Sequence, residues 1–147
     1  MQEFNVLWFE DNFKDFDDTI DLLQSHSSKN NRLFKFDQYD HYPVDFDVKL
    51  FDGHYSLALI DLNLQNGQKG IEIIKTIRKH GAYIDILLYS NNPTELVQLT
   101  EGRNFVEGIF RHATYKGLSQ KMCDVVDQVI YKEVMATNRY DLYNSSK

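Results

Sequence analysis

The chain has 147 residues, a formal net charge of −6, 42% hydrophobic residues and a single cysteine. This length fits one domain rather than a multidomain enzyme, and the acidic balance disfavours nucleic-acid binding by this domain. One cysteine cannot form an internal disulfide, and no apolar run approaches the roughly 20 residues of a membrane span. We therefore expect a soluble, cytoplasmic protein that makes no membrane contact.

Apolar runs that predict strands alternate along the chain with segments of helical spacing. The predicted strands cover residues 4–9, 32–39, 55–62, 84–90 and 105–110. Apolar residues three and four positions apart predict helices over about residues 13–23, 71–79, 93–99 and 122–134. A short helix is also expected near the end of the 41–53 connection. We expect residues 1–138 to form the domain and residues 139–147 a polar C-terminal tail or the start of a linker.

The composition of these strands predicts their arrangement. Strands that are continuously apolar, rather than alternating, are typical of a parallel sheet covered by helices on both faces. Right-handed crossovers between such strands give a doubly wound α/β fold. The flavodoxin-like order for five parallel strands is 2-1-3-4-5, and its site lies at the carboxyl ends of strands one and three.

Polar residues follow the predicted strands at this edge of the sheet. Strand one is followed by Glu10 and Asp11, strand three ends at Asp61, strand four ends at Ser90, and strand five leads into His112. Three carboxylates in one partly buried crevice repel one another, so they either stay protonated or are neutralised by a cation. Oxygen ligands favour a hard divalent ion, and Mg²⁺ commonly uses only one or two carboxylates and several waters.

The sequence also resembles the receiver domains of two-component response regulators. The resemblance rests on four segments in order: VLWFED at 6–11, LALIDLNL at 57–64, GIEIIKTIR at 70–78 and LLYSN at 87–91. It covers roughly residues 4 to 135, and it is the order and spacing of the segments that make it specific.

The resemblance implies a mechanism residue by residue. Asp61 matches the phosphoacceptor, whose carboxylate forms an acyl phosphate with a group taken from a histidine kinase or a phosphotransfer protein. Glu10, Asp11 and Asp61 match the side chains that hold Mg²⁺, and Asn63 matches the position that offers its backbone carbonyl to the metal. Ser90 matches the hydroxyl that bonds a phosphoryl oxygen. Enzymatic activity is then limited to Mg²⁺-dependent self-phosphorylation and autodephosphorylation at Asp61.

Three positions depart from the family pattern. His112 occupies the place of the lysine that normally follows strand five, and an imidazolium next to several acids substitutes for that ammonium. Arg111 is adjacent, but neighbouring strand residues point to opposite faces, so Lys116 is the alternative cation if the loop folds back. The other interpretation is that His112 is only a surface loop residue. Gln65 replaces the proline usual after strand three, and the switch aromatic of strand five falls at Ile109.

These departures leave a second interpretation open, a pseudo-receiver that serves as a phosphorylation-independent protein-interaction module. A haloacid-dehalogenase-like phosphatase is disfavoured because Asn63 stands where that family needs a second acid, and a flavin-binding domain because no phosphate loop follows strand one. The family also implies that a downstream protein, or an output domain outside this sequence, reads the state of Asp61. The resemblance is also compatible with a homodimer formed through the last helix and the fifth strand.

Overall fold

The computed structural model describes residues 1–64, 67–100 and 110–145. Within these ranges the strands are β1 Gln2–Phe9, β2 Arg32–Tyr39, β3 Leu57–Asp61, β4 Asp85–Ser90 and β5 Phe110–Thr114. The α-helices are α1 Asp17–Lys29, α2 Gly70–Lys79, α3 Pro93–Thr100 and α4 Leu118–Ser145. Two 3₁₀-helices, Phe13–Phe16 and Val48–Phe51, precede α1 and β3.

The five strands form one parallel sheet in the order β2-β1-β3-β4-β5, so the predicted doubly wound α/β fold and its strand order are confirmed. β1 and β3 are neighbours, and the chain proceeds from them in opposite directions across the sheet. Their carboxyl ends are therefore the switch point at which such folds place a site. The register pairs Asp61 with Tyr89 and Ser90 with Thr114, which brings the last residues of β3, β4 and β5 to the same edge.

Alternating side chains of the central strands build a core on each face of the sheet. On one face Trp8 and its neighbours pack with α1 and α4, and on the other face Leu7 and Phe9 pack with α2. All five residues of β3 and all six of β4 are buried, which is the pattern of strands covered on both faces.

The fifth strand differs from its predicted position. It runs over Phe110–Thr114 and overlaps the predicted 105–110 only at Phe110, while residues 101–109 lie outside the described residues. The run FVEGIF is more apolar than FRHAT, so local hydrophobicity favoured the earlier segment. As a result, His112 lies inside β5 opposite Leu88, and the residue that follows the strand is Tyr115.

The last helix is longer than its apolar pattern predicts. α4 continues to Ser145, and the predicted tail residues 139–145 belong to it; the domain boundary after residue 138 stays a prediction. The buried residues of α4 lie between Leu118 and Ile130, and none of residues 131–145 is buried. Among the helices of the described ranges, none has the length and apolar character needed to cross a membrane.

Candidate functional site

Three carboxylates meet at the switch point between β1 and β3. Glu10 and Asp11 follow the last residue of β1, and Asp61 is the last residue of β3. One carboxylate oxygen from each of the three lies within 4.8 Å of the other two. The structure therefore brings together the three acidic residues that the sequence analysis selected.

Glu10 is fully buried and is held through both of its carboxylate oxygens. The Tyr89 hydroxyl donates to Oε1 at 2.8 Å, and the backbone N–H of Asn12 donates to Oε2 at 2.9 Å. Burial raises the pKa of Glu10 from 4.5 to about 7; the Asn12 N–H opposes this rise, and the charge of Asp61 adds to it. In the absence of a cation, this carboxyl therefore takes up a proton near neutral pH.

Asp61 is 6% exposed and is also held through both oxygens. The backbone N–H of Asn63 donates to Oδ1 at 3.1 Å, and the Tyr115 hydroxyl donates to Oδ2 at 3.0 Å. Burial raises the pKa of Asp61, the two donors oppose that rise, and the nearby charge of Asp11 reinforces it. Burial together with the charges of Asp61 and Glu10 raises the pKa of Tyr115, so this phenol stays protonated and acts as a donor.

The first residue of α2 packs directly on the backbone of Asp61. The Gly70 N–H donates to the carbonyl of Leu62 at 2.7 Å. A Cβ at position 70 would lie 2.4 Å from the carbonyl oxygen of Asp61. Because no side chain fits in that space, Gly70 is the residue that lets α2 begin so close to the candidate phosphoacceptor.

Ser90 lies at the same edge, at the end of β4. It is buried, and its Oγ accepts a bond from the backbone N–H of Asn92 at 3.0 Å. The Asn92 side chain in turn accepts from the Glu95 N–H at 3.0 Å, which caps the start of α3. Ser90 therefore has a fixed position between β4 and α3.

The Asn63 side chain joins the loop after β3 to α3. The Lys69 ammonium donates to Asn63 Oδ1 and, at 3.1 Å, to Glu95 Oε1. In the part of the chain that the structure describes, no salt bridge includes Glu10, Asp11 or Asp61. The Lys69 ammonium is thus linked to the carboxylate cluster through Asn63, whose backbone N–H donates to Asp61.

Two tyrosines that contact the acidic site, Tyr89 and Tyr115, are not predicted from the sequence. Tyr115, directly after β5, donates to Asp61, whereas His112 lies three residues earlier in the strand. The side chains of Arg111 and His112, like residues Gln65 and Ile109, lie outside the described residues, so the assignment of His112 as a lysine substitute stays a prediction. The alternative cation Lys116 is an exposed neighbour of Tyr115. Tyr115 can be identified from the sequence only when the end of β5 is placed correctly, because it is the residue directly after that strand.

The acidic cluster has the donor set of a site for a hard divalent cation. Mg²⁺ binds carboxylate and carbonyl oxygens and retains several waters. The cluster offers one carboxylate oxygen from each of three residues, all within 4.8 Å of one another, and these can converge on a single ion. Asp11 is accessible to solvent, which leaves room for the waters that Mg²⁺ retains. The residues present therefore fit the ion.

Solved structures with a similar fold include response regulator receiver domains. A CheY-like response regulator receiver domain protein from Methanospirillum hungatei is 11% identical with a TM-score of 0.64, and the match covers 92% of this chain and 99% of that one. The signal receiver domain of a putative Luxo repressor protein from Vibrio parahaemolyticus is 11% identical with a TM-score of 0.60, over 92% and 95%. NtrX from Brucella abortus, in complex with ADP, is 14% identical with a TM-score of 0.56, over 94% of this chain and 29% of its own. No protein-family profile and no curated protein matches the sequence.

Proposed function

We propose that this chain, which has the fold of a response regulator receiver domain, accepts a phosphoryl group on Asp61 from a histidine kinase or a phosphotransfer protein. The observation that carries this proposal is the position of Asp61, at the end of β3 and within reach of the carboxylates of Glu10 and Asp11. An isolated aspartate at a strand end would have no comparable partners.

The proposed step is a phosphoryl transfer between two side chains. A carboxylate oxygen of Asp61 attacks the phosphorus of a phosphohistidine, an O–P bond forms, and the N–P bond breaks with its electron pair left on the imidazole. Glu10, Asp11 and Asp61, with the Asn63 backbone carbonyl, would hold Mg²⁺. When bound, the ion offsets the negative charge of the phosphoryl group.

The other residues at this edge position the reacting groups. Tyr115 and the Asn63 N–H orient the Asp61 carboxylate through its two oxygens. Ser90 is buried at the end of β4, at the same edge of the sheet, and its hydroxyl proton would be donated to a phosphoryl oxygen. His112 remains the candidate cation of this site. A histidine kinase or phosphotransfer protein as partner implies a cytoplasmic protein. A downstream protein or an output domain would then read the phosphorylation state of Asp61.

Two observations favour the alternative, a pseudo-receiver that binds partners without phosphorylation. The residue after β5 that reaches Asp61 is the neutral phenol of Tyr115, and no salt bridge within the described residues neutralises the acidic cluster. An interaction module of this kind, including a homodimer formed through α4, requires no phosphoryl transfer. The two functions therefore differ in one measurable property, the reactivity of Asp61.

A mass measurement distinguishes them. The protein is incubated with Mg²⁺ and acetyl phosphate, and its intact mass is recorded for the wild type, Asp61→Asn and the control Asp21→Asn, which changes an exposed aspartate of α1. We expect the mass of one phosphoryl group to be added to the wild type and the control but not to Asp61→Asn. Absence of an Asp61-dependent adduct, together with no response to beryllofluoride, would establish the pseudo-receiver instead.

A further inference from the structure

Two tyrosine hydroxyls hold the two buried carboxylates of the acidic site. Tyr89 donates to Glu10 Oε1 at 2.8 Å, and Tyr115 donates to Asp61 Oδ2 at 3.0 Å. The two rings pack against each other with centroids 5.8 Å apart, and Phe16 contacts both of them. We call Tyr89 and Tyr115 the tyrosine pair.

The direction of the Tyr89 hydroxyl is fixed by a third buried group. The indole Nε1 of Trp8, which is a donor only, gives its hydrogen to the Tyr89 oxygen at 2.9 Å. The phenolic proton of Tyr89 is therefore left for Glu10 Oε1. With Asn12 N–H on Oε2, the Glu10 carboxylate is held by a donor at each oxygen, which sets the directions of its remaining lone pairs.

Tyr115 is anchored by its backbone as well as its ring. Its N–H donates to the carbonyl of Ser90 at 3.2 Å, and its own carbonyl accepts from the Leu118 N–H at 3.1 Å, at the start of α4. Its hydroxyl therefore reaches Asp61 from a position that the main chain determines. Since Asn63 N–H holds the other oxygen, the Asp61 carboxylate is fixed in the same manner as that of Glu10.

We infer that the tyrosine pair positions Glu10 and Asp61 for a small divalent cation and so makes the site select Mg²⁺ over Ca²⁺. Mg²⁺ demands near-ideal octahedral geometry with short ligand distances, whereas Ca²⁺ accepts six to eight oxygens in flexible arrangements. Carboxylates held in fixed directions cannot readily rearrange to the longer distances and higher coordination number of Ca²⁺, so they favour the smaller ion. A phenol orients a carboxylate without adding positive charge, so it does not repel the cation as an ammonium in the same place would. This inference rests on the cation site of the proposed function.

The test compares two cations on variants that each remove one hydroxyl. The wild-type chain of 147 residues, Tyr89→Phe and Tyr115→Phe are titrated with MgCl₂ and with CaCl₂, and dissociation constants are taken from the shifts of backbone amide NMR signals. The matched control is Tyr55→Phe, because the Tyr55 hydroxyl also donates to a carboxylate, that of Asp37 at 2.7 Å, outside the acidic cluster. The same spectra report whether each variant is folded.

We expect Mg²⁺ to bind about 10- to 100-fold more weakly to each variant of the tyrosine pair, which is the usual effect of removing a residue that orients a metal ligand. Ca²⁺ affinity should change by much less, and the control should match the wild type. If Tyr89→Phe fails to fold because the Trp8 N–H is left unpaired, Tyr115→Phe carries the test, since Tyr115 is 40% exposed.

The remaining outcomes overturn the inference in distinguishable ways. Unchanged Mg²⁺ affinity in folded variants, or equal losses for Mg²⁺ and Ca²⁺, would show that the tyrosine pair does not select the ion, and the proposed phosphoacceptor would be unaffected. A wild type that binds neither cation would refute the cation site itself, and with it the Mg²⁺-dependent part of the proposed function.

Discussion

The free energy of unfolding of the metal-free protein should fall as the pH rises from about 5 to about 8. Folding raises the pKa of Glu10 from 4.5 to about 7. The folded state therefore binds the Glu10 proton more tightly than the unfolded chain does. The resulting stability is fully present below the unfolded pKa, near 4.5, and is lost as the pH rises through 7. The raised pKa of Asp61 acts in the same direction.

The magnitude follows from the size of the shift. One pKa unit corresponds to about 1.4 kcal/mol, so a rise from 4.5 to about 7 makes the Glu10 contribution about 3 kcal/mol. Small domains are stable by roughly 5–15 kcal/mol in total, so a change of this size is a large fraction of the whole. It is well above the uncertainty of a denaturation experiment.

Urea denaturation in EDTA measures this change, because the chain has a single tryptophan, Trp8, which is fully buried and whose fluorescence reports unfolding. Glu10→Gln removes the titrating carboxyl and flattens the profile. This variant should be less stable than the wild type near pH 5, by about 1 kcal/mol for one altered hydrogen bond, and more stable near pH 8. The two profiles therefore cross. The control Glu72→Gln, at an exposed position of α2, should follow the wild type.

Two results would refute this reasoning. A wild-type profile that is flat between about pH 5 and 8 would show that Glu10 is not protonated on folding. A Glu10→Gln profile that falls as steeply as the wild type would assign the pH dependence to other groups.

Two further substitutions test contacts on which the site and the fold depend. Gly70→Ala places a Cβ 2.4 Å from the Asp61 carbonyl, so it should destabilise the protein by about 1–3 kcal/mol in urea denaturation and slow phosphorylation of Asp61; wild-type values for both would contradict the close packing. Lys132→Met removes the ammonium that lies 2.5 Å from the carboxylate of Asp85, which is 2% exposed. Because the Lys132 side chain is itself 54% exposed, we expect a loss of stability of about 1–3 kcal/mol, less than for a pair in which both partners are buried. The exposed ion pair of Lys35 with Glu3 is the control, and Lys35→Met should leave the stability close to that of the wild type; equal losses would refute the importance of burial.

The sheet order and the acidic cluster could be predicted because both depend on local sequence signals. Continuous apolar runs mark buried parallel strands, and in such a sheet the residues after strands one and three must meet. Glu10, Asp11 and Asp61 satisfy that rule directly. Their convergence requires no knowledge of side-chain packing, only the correct ends of two strongly apolar strands.

The fifth strand and the tyrosines could not be found in this way. FRHAT forms β5 through its pairing with β4, and its apolar content is lower than that of the preceding FVEGIF. The strand ends a few residues later than predicted, so Tyr115, the residue directly after it that contacts Asp61, was not selected. Tyr89 lies in an apolar strand, and its contact with Glu10 crosses 79 residues of sequence, so no local pattern indicates it.

The cost of the buried acid bears on the choice between a receiver and an interaction module. Above neutral pH a charged Glu10 lowers stability by about 3 kcal/mol relative to its protonated form, and a cation bound by the converging carboxylates offsets that loss. A protein that functions through its outer surface alone gains nothing from such a cluster. The denaturation profile with Mg²⁺ therefore tests whether the cluster is a cation site, which the proposed phosphoryl transfer requires. A receiver recovers its stability near pH 8 when Mg²⁺ is added, and Glu10→Gln recovers less, whereas a module that binds no cation shows the same falling profile with and without the ion.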